Sequence, residues 1–198
     1  EPAILAEELG PFHATFHIPA FLEGGRTTEN GIHYLNGIPV HKTDFGRDNI
    51  FGFSTSNLAK WIEEKSFGKI KAENIMHVEI KQLDMAFNSE NGFKSLLIFL
   101  SNLENNISVV VDAKLPHHLE IFAKAIKVIS KEKRFLFRTA ASFINFLSEL
   151  PSNPKDTAEL ISLKTKNNNS KYKPGLIIVG SHVKLATEQL EVLLKDNS

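Results

Sequence analysis

The chain has 198 residues, enough to bury a sizeable core, and its 23 lysines and arginines balance 23 aspartates and glutamates. That balance gives no electrostatic reason to expect nucleic acid or an anionic membrane as partner, and the absence of cysteine excludes a disulfide scaffold and thiolate zinc ligation. No apolar run approaches the roughly 20 residues of a spanning helix and no signal peptide is visible, so a cytoplasmic location is the expectation.

The chain opens at Glu1 on helix-like sequence and reads as an excerpt of a longer protein. Pro2 to Leu9 is predicted as a short helix, with proline in the first turn, where it is tolerated. Phe12 to Ile18 alternates loosely and is predicted as a strand. Pro19 to Asp48 is then too long for a simple turn and too aromatic for a disordered linker. Within it, Ile32 to Leu35 and Ile38 to His41 flank Asn36-Gly37, a strong two-residue hairpin signal. Ser54 to Ser56 supply N-caps for a helix with Leu58, Trp61 and Ile62 on one face, ending near Gly68.

Strand and helix patterns alternate from there. Ile75 to Ile80, Ile107 to Val111 and Phe135 to Phe137 are predicted strands; Phe93 to Leu103, His118 to Ser130 and Ala140 to Leu147 are predicted helices. Pro151 to Tyr172, with its prolines and Asn167-Asn168-Asn169, reads as a linker or surface excursion. Gly175 to Val179 reads as a buried strand, Gly180-Ser181 as the turn after it, and Lys184 to Lys195 as a helix with Leu190, Leu193 and Leu194 inward. The expected fold is therefore α/β: a mostly parallel sheet with helices on both faces, a β-hairpin excursion, and the first βα unit of a second domain. The expected boundaries are 1–150 for the first domain, 151–173 for the linker and 174–198 for the start of the second.

Three places could carry chemistry. Arg26 follows Gly24-Gly25 and precedes Thr27-Thr28, combining close backbone approach, a guanidinium fork and hydroxyl donors suited to an anion. Asp112 ends a buried strand, where parallel sheets hold ligands, although a turn-capping role fits the same position. Gly180-Ser181 sits between strand and helix patterns, where backbone amides favour phosphate, although a plain βα turn with Ser181 near an N-cap is the stronger reading. The histidines carry less: His117-His118 are sequence neighbours with no carboxylate at metal-ligand spacing, so no metal site is expected.

In order, the segments PAFLEGGRTTENGIHYLNGIPVHKTDFGRD, VVVDAKLPHHLE, RFLFRTAAS and GLIIVGSHVKLATEQL resemble the four-carbon acid sugar kinases. That resemblance implies a chain covering the later part of the substrate-binding domain and the start of the nucleotide-binding domain. It implies ATP-dependent phosphorylation of a hydroxyl on threonate, erythronate or a 2-oxo relative, with ATP and Mg²⁺ as cofactors; the oligomeric state stays open, a homodimer being one possible assembly. By the same resemblance, Arg26, Thr27 and Asp112 are expected to face the substrate and Gly180 and Ser181 the nucleotide. Val183 stands where some relatives carry a second serine. Two other readings stay open: a non-catalytic module that binds a small anion, and an α/β hydrolase using Asp112 with His117 or His118.

Overall fold

Short runs rich in β-branched and aromatic side chains, separated by helical periodicity, build a sheet whose crossovers are helices. The computed structural model of the protein describes residues 2–48, 52–148, 157–162, 178–181 and 184–195. The chain divides into two units, Glu1–Leu150 and Pro151–Ser198. In the first, helix α1 (Pro2–Leu9) precedes strand β1 (Ala14–Ile18) and a ribbon of β2 (Arg26–Glu29), β3 (Ile32–Leu35) and β4 (Ile38–Pro39). Helix α2 (Leu58–Lys65), strand β5 (Met76–Val78) and helices α3 (Ile80–Asn88) and α4 (Glu90–Ser101) come next. Strand β6 (Ile107–Val111), helix α5 (Pro116–Ile129), strand β7 (Phe135–Thr139) and helix α6 (Ala141–Ser148) complete the unit. Among the described residues no helix is long and apolar enough to cross a membrane.

The four strands β5, β6, β1 and β7 lie in that order and are all parallel. Alternation along each strand separates two unlike faces. One carries Ala14, Phe16, Ile18, Val78, Val109 and Val111, buried under α3 to α6 by Leu83, Leu100, Phe122 and Phe143. Phe16 meets Phe122 and Phe135 edge-on, with ring centroids 5.2 and 5.1 Å away. By register, Thr15, His17, Ser108 and Arg138 lie on the other face with Val110. There α2 packs Leu58, Ala59 and Ile62 against Val110. Helices thus cover both faces, as expected, but only one face is apolar throughout.

The long excursion is a three-stranded antiparallel ribbon, one strand more than the sequence suggests. Asn30-Gly31 turns β2 into β3 as Asn36-Gly37 turns β3 into β4. Both pairs have the two positive φ values that a type I′ turn needs: 52° and 69°, then 49° and 79°. The ribbon docks on the carboxyl end of β6, where Thr28 and Ala113 exchange backbone hydrogen bonds of 2.9 and 3.0 Å. Beside that bridge, the buried Asp112 accepts the Gly31 amide at 3.0 Å. A Cβ on Gly31 would stand 2.9 Å from the His77 ring, so neither the φ nor the space suits another residue.

Several local expectations need correction. Asn57, not Ser54 to Ser56, caps α2: its Oδ1 accepts the Lys60 amide at 3.0 Å. The segment from Ile80, expected to finish a strand, opens helix α3, because Gln82 reaches back to accept the Glu79 amide at 2.9 Å. Ser89 then ends α3 and starts α4, accepting the Gly92 amide.

The second unit contains α7 (Thr157–Ser162) and α8 (Lys184–Lys195) among its described residues. Of the buried strand expected over Gly175 to Val179, the first three residues lie outside the described ones. Ile178 and Val179 follow irregular backbone and are 83% and 44% exposed. Leu190 is half-buried, but Leu193 and Leu194 are exposed rather than inward. A short amphipathic helix hides its apolar face only where another layer lies against it.

Gly31→Ala and Asp112→Ala should each lower stability by about 2 kcal/mol in urea unfolding, through backbone strain and an unpaired turn amide respectively. Asp112→Asn, which keeps an acceptor oxygen, should lose much less. Equal losses in the alanine and asparagine variants would show that the carboxylate does not hold the ribbon.

Candidate anion-binding site

A cavity of about 140 Å³ opens where the ribbon and α2 approach the carboxyl ends of β1 and β7. Pro19 follows β1, Arg138 comes from β7, Arg26 and His33 from the ribbon, and Ser56 and Trp61 from the entry and body of α2. Its described lining contains two arginines and no carboxylate. Each guanidinium lies over an aromatic ring, Arg26 at 5.3 Å from the Phe21 centroid and Arg138 at 4.5 Å from that of Trp61. Stacking of this kind orients the planar forks and limits the rotamer entropy lost when they bind.

Burial sets the charge of the pocket. It pulls the Arg26 guanidinium below its ordinary value, so an anion would meet a partly desolvated cation. It also pulls His33 from 6.5 to about 4, with the neighbouring Arg26 pushing the same way, which leaves the imidazole neutral at pH 7. His33 Nδ1 lies 3.1 Å from the Thr28 hydroxyl, and the His33 amide donates to the Ser56 carbonyl at 2.8 Å. Ser56 Oγ accepts the His41 amide at 2.9 Å and lies 2.7 Å from His41 Nδ1, to which it can donate. The Ser56 hydroxyl therefore serves the frame. The positive charge in the lining belongs to Arg26 and Arg138.

Of the residues singled out in the sequence, Arg26 lines this cavity and the others do not. Thr27 alternates to the opposite face of β2, across from Tyr34. Asp112 is 2% exposed and accepts amides of the Asn30-Gly31 turn; burial pushes its carboxyl up while those bonds pull it down. It caps a turn, but one far away in sequence. Gly180 and Ser181 belong to the second unit, exposed on irregular backbone, and a Cβ on Gly180 would meet nothing within 4 Å among the described residues. Arg138, His33, Ser56 and Trp61 escaped the sequence reading. Arg138 was open to it, because alternation in FLFRT sets it against the face of Phe135 and Phe137.

The structure also brings Asp84 of α3 beside His117 and His118 of α5, each Nε2 being 3.0 Å from Asp84 Oδ1. This is the one His and carboxylate cluster of metal-site size among the described residues. Its hydrogen bonds argue against a metal. His118 Nδ1 accepts the amides of Lys114 and Leu115 at 3.1 and 3.3 Å, so the neutral ring carries its proton on Nε2 and donates it to Asp84. A protonated Nε2 has no lone pair for a cation. The His117 bond, first among several, holds Asp84 below the usual carboxylate range. The cluster pins α3 to α5. With both histidines on Asp84 and Asp112 on the ribbon turn, the hydrolase arrangement is not formed.

The family described as the sugar-binding N-terminal domain matches residues 1–147. The chain belongs to that family. It is the family to which the acid sugar kinase resemblance pointed. Two crystal structures share the fold of this sugar-binding domain. A Salmonella typhimurium LT2 protein is 17% identical with a TM-score of 0.52, over 74% of this chain and 31% of that one. Haemophilus influenzae protein HI1011, of the DUF1537 family, is 18% identical with a TM-score of 0.51, over the same 74% and 31%. The chain thus spans under a third of their length. A Bordetella bronchiseptica DUF1537 protein, a domain-swapped dimer with bound citrate, is 18% identical with a TM-score of 0.47, over 68% of this chain and 28% of that one. No curated protein matches the sequence.

The buried neutral histidines give the sugar-binding domain an acid limit. His17 and His33 both fall from 6.5 to about 4, so the folded state binds fewer protons than the unfolded chain between those values. Their contribution is complete above pH 6.5 and is lost as pH falls towards 4. Urea unfolding across that range should show a loss on the order of 2 kcal/mol per histidine, and His33→Gln should flatten the slope. A slope unchanged in that variant would exclude His33 as a source.

Proposed function

We propose that this domain takes the carboxylate of a four-carbon acid sugar, of the threonate, erythronate or 2-oxo-tetronate type, between Arg26 and Arg138. The whole protein would then be an ATP-dependent kinase acting on a hydroxyl of that acid. The observation that carries the reading is a small cavity with two ring-stacked guanidiniums and no carboxylate in its described lining. A planar fork pairs with a carboxylate through two parallel hydrogen bonds, and desolvation of Arg26 strengthens the pairing. Thr55 and the neutral His33, both in the lining, offer hydrogen-bond partners to the hydroxyls of the polyol.

This proposal assigns the domain the work of binding and orienting the acid. The family reading brings ATP and Mg²⁺ with it, and Gly180 with Ser181 as nucleotide contacts, yet the described residues fit neither group. Among the described residues Gly180 has no close neighbour that would form a cradle, and the His118 tautomer keeps the histidine cluster from a cation. A binding module without catalysis gains from one observation: the described cavity lining includes no carboxylate to act as a general base.

Calorimetry with threonate, erythronate and the uncharged polyol threitol tests the site. The two acids should bind and threitol should not. Arg26→Ala and Arg138→Ala should each weaken acid binding roughly tenfold. Unchanged affinity in both variants would remove the cavity as the acid site. ADP release with ATP and threonate supports the kinase, whereas acid binding by a catalytically silent whole protein supports the module.

A further inference from the structure

A second and larger cavity, about 430 Å³, lies on the polar face of the sheet and shares Trp61 and Arg138 with the first. Its volume falls within the range of small-molecule sites. His17 of β1 and Arg138 of β7, register partners on adjacent strands, contribute from the sheet. Ile62 and Lys65 of α2 and the turn through Phe67, Lys69 and Ile70 supply walls.

Two independent observations mark it as a built site. First, His17 is 4% exposed, and its Nδ1 is the single buried side-chain nitrogen or oxygen without a hydrogen-bond partner among the described residues. Native structures rarely leave such an atom unpaired without a role for it. Where Ser108 Oγ, 3.4 Å from Nε2, donates to that nitrogen, the ring proton sits on Nδ1. Second, the described lining carries Lys65, Lys69 and Arg138 but no carboxylate. The ion pairs of these lysines run outside the lining and are long, 3.7 Å from Lys65 to Glu64 and 3.9 Å from Lys69 to Glu7. Lys65 also donates to the Gly52 carbonyl. Around the cations the wall is apolar, and Phe67 at its edge is 95% exposed.

We propose that this cavity is a second ligand site, taking an organic anion with a flat apolar body: the anionic group meets Lys69 and Arg138, His17 Nδ1–H donates to it, and the body lies against Trp61 and Ile70. It does not depend on the acid-sugar assignment, because a polyol acid has no apolar body to fill such walls. Burial and the charge of the exposed Arg138 hold His17 neutral, from 6.5 to about 4, so its N–H is a donor without the cost of a buried cation. An anion arriving beside Arg138 would offset that cation and draw His17 upward.

Salicylate and its neutral counterpart salicylamide are the probes, read by nitrogen NMR of the histidine rings in this chain. Salicylate should shift the His17 ring resonances saturably and salicylamide should not. Lys69→Glu, a surface change, should weaken the response about fivefold, and Arg26→Ala should leave it intact. No saturable shift at roughly 20 mM salicylate, an equal response to salicylamide, or indifference to Lys69→Glu would each overturn the proposal. Loss of the response in Arg26→Ala would assign the probe to the smaller cavity and also overturn it.

Discussion

One buried carboxylate fixes where the ribbon sits. Asp112 follows β6 directly and accepts an amide from a turn more than eighty residues earlier in the chain, while Thr28 and Ala113 close the backbone beside it. The ribbon in turn carries Arg26 and His33 to the cavity. Strand side chains alternate, so a slip of one residue in this docking would exchange the faces of Arg26 and Thr27. A buried carboxylate costs desolvation, and here the amides of Asn30 and Gly31 offset part of that cost. The polar bond is therefore more a matter of register than of net stability.

The second determinant is the inequality of the two sheet faces. The face under α3 to α6 is packed with aromatic and branched side chains and leaves no room for chemistry. The other face carries Thr15, His17, Ser108 and the exposed Arg138, and α2 packs against it at Val110. Both cavities use that face, and Arg138 with Trp61 forms their common wall. A polar residue set into a parallel sheet sacrifices core packing, and the return is a charge held in a rigid frame.

Much of the fold was legible. Ile107–Val111 and Lys184–Lys195 have the limits that periodicity implies, and the parallel sheet follows from strands separated by helices. Misses came where short-range signals compete. Ile80 to Asn88 mixes strand and helix cues and is settled by the Gln82 cap and by burial of Leu83. Asn30-Gly31 carries the same turn signal as Asn36-Gly37, yet RTTE before it lacks the apolar alternation that marks a strand. RTTE becomes one by pairing with β3 and by the bridge from Thr28 to Ala113, contacts distant in sequence.

The sequence alone determined the α/β class and the family, and it singled out Arg26 as a candidate anion ligand, because periodicity, motif order and guanidinium chemistry are local properties. Tertiary structure decided that Asp112 holds a turn and that His117 and His118 close on Asp84. It also decided that Arg138 and His33 join Arg26 at the smaller cavity. Those outcomes depend on which strand lies beside which and on which nitrogen of a ring is already occupied. Sheet order and hydrogen-bond competition across the fold set both, and spacing along the chain does not encode either.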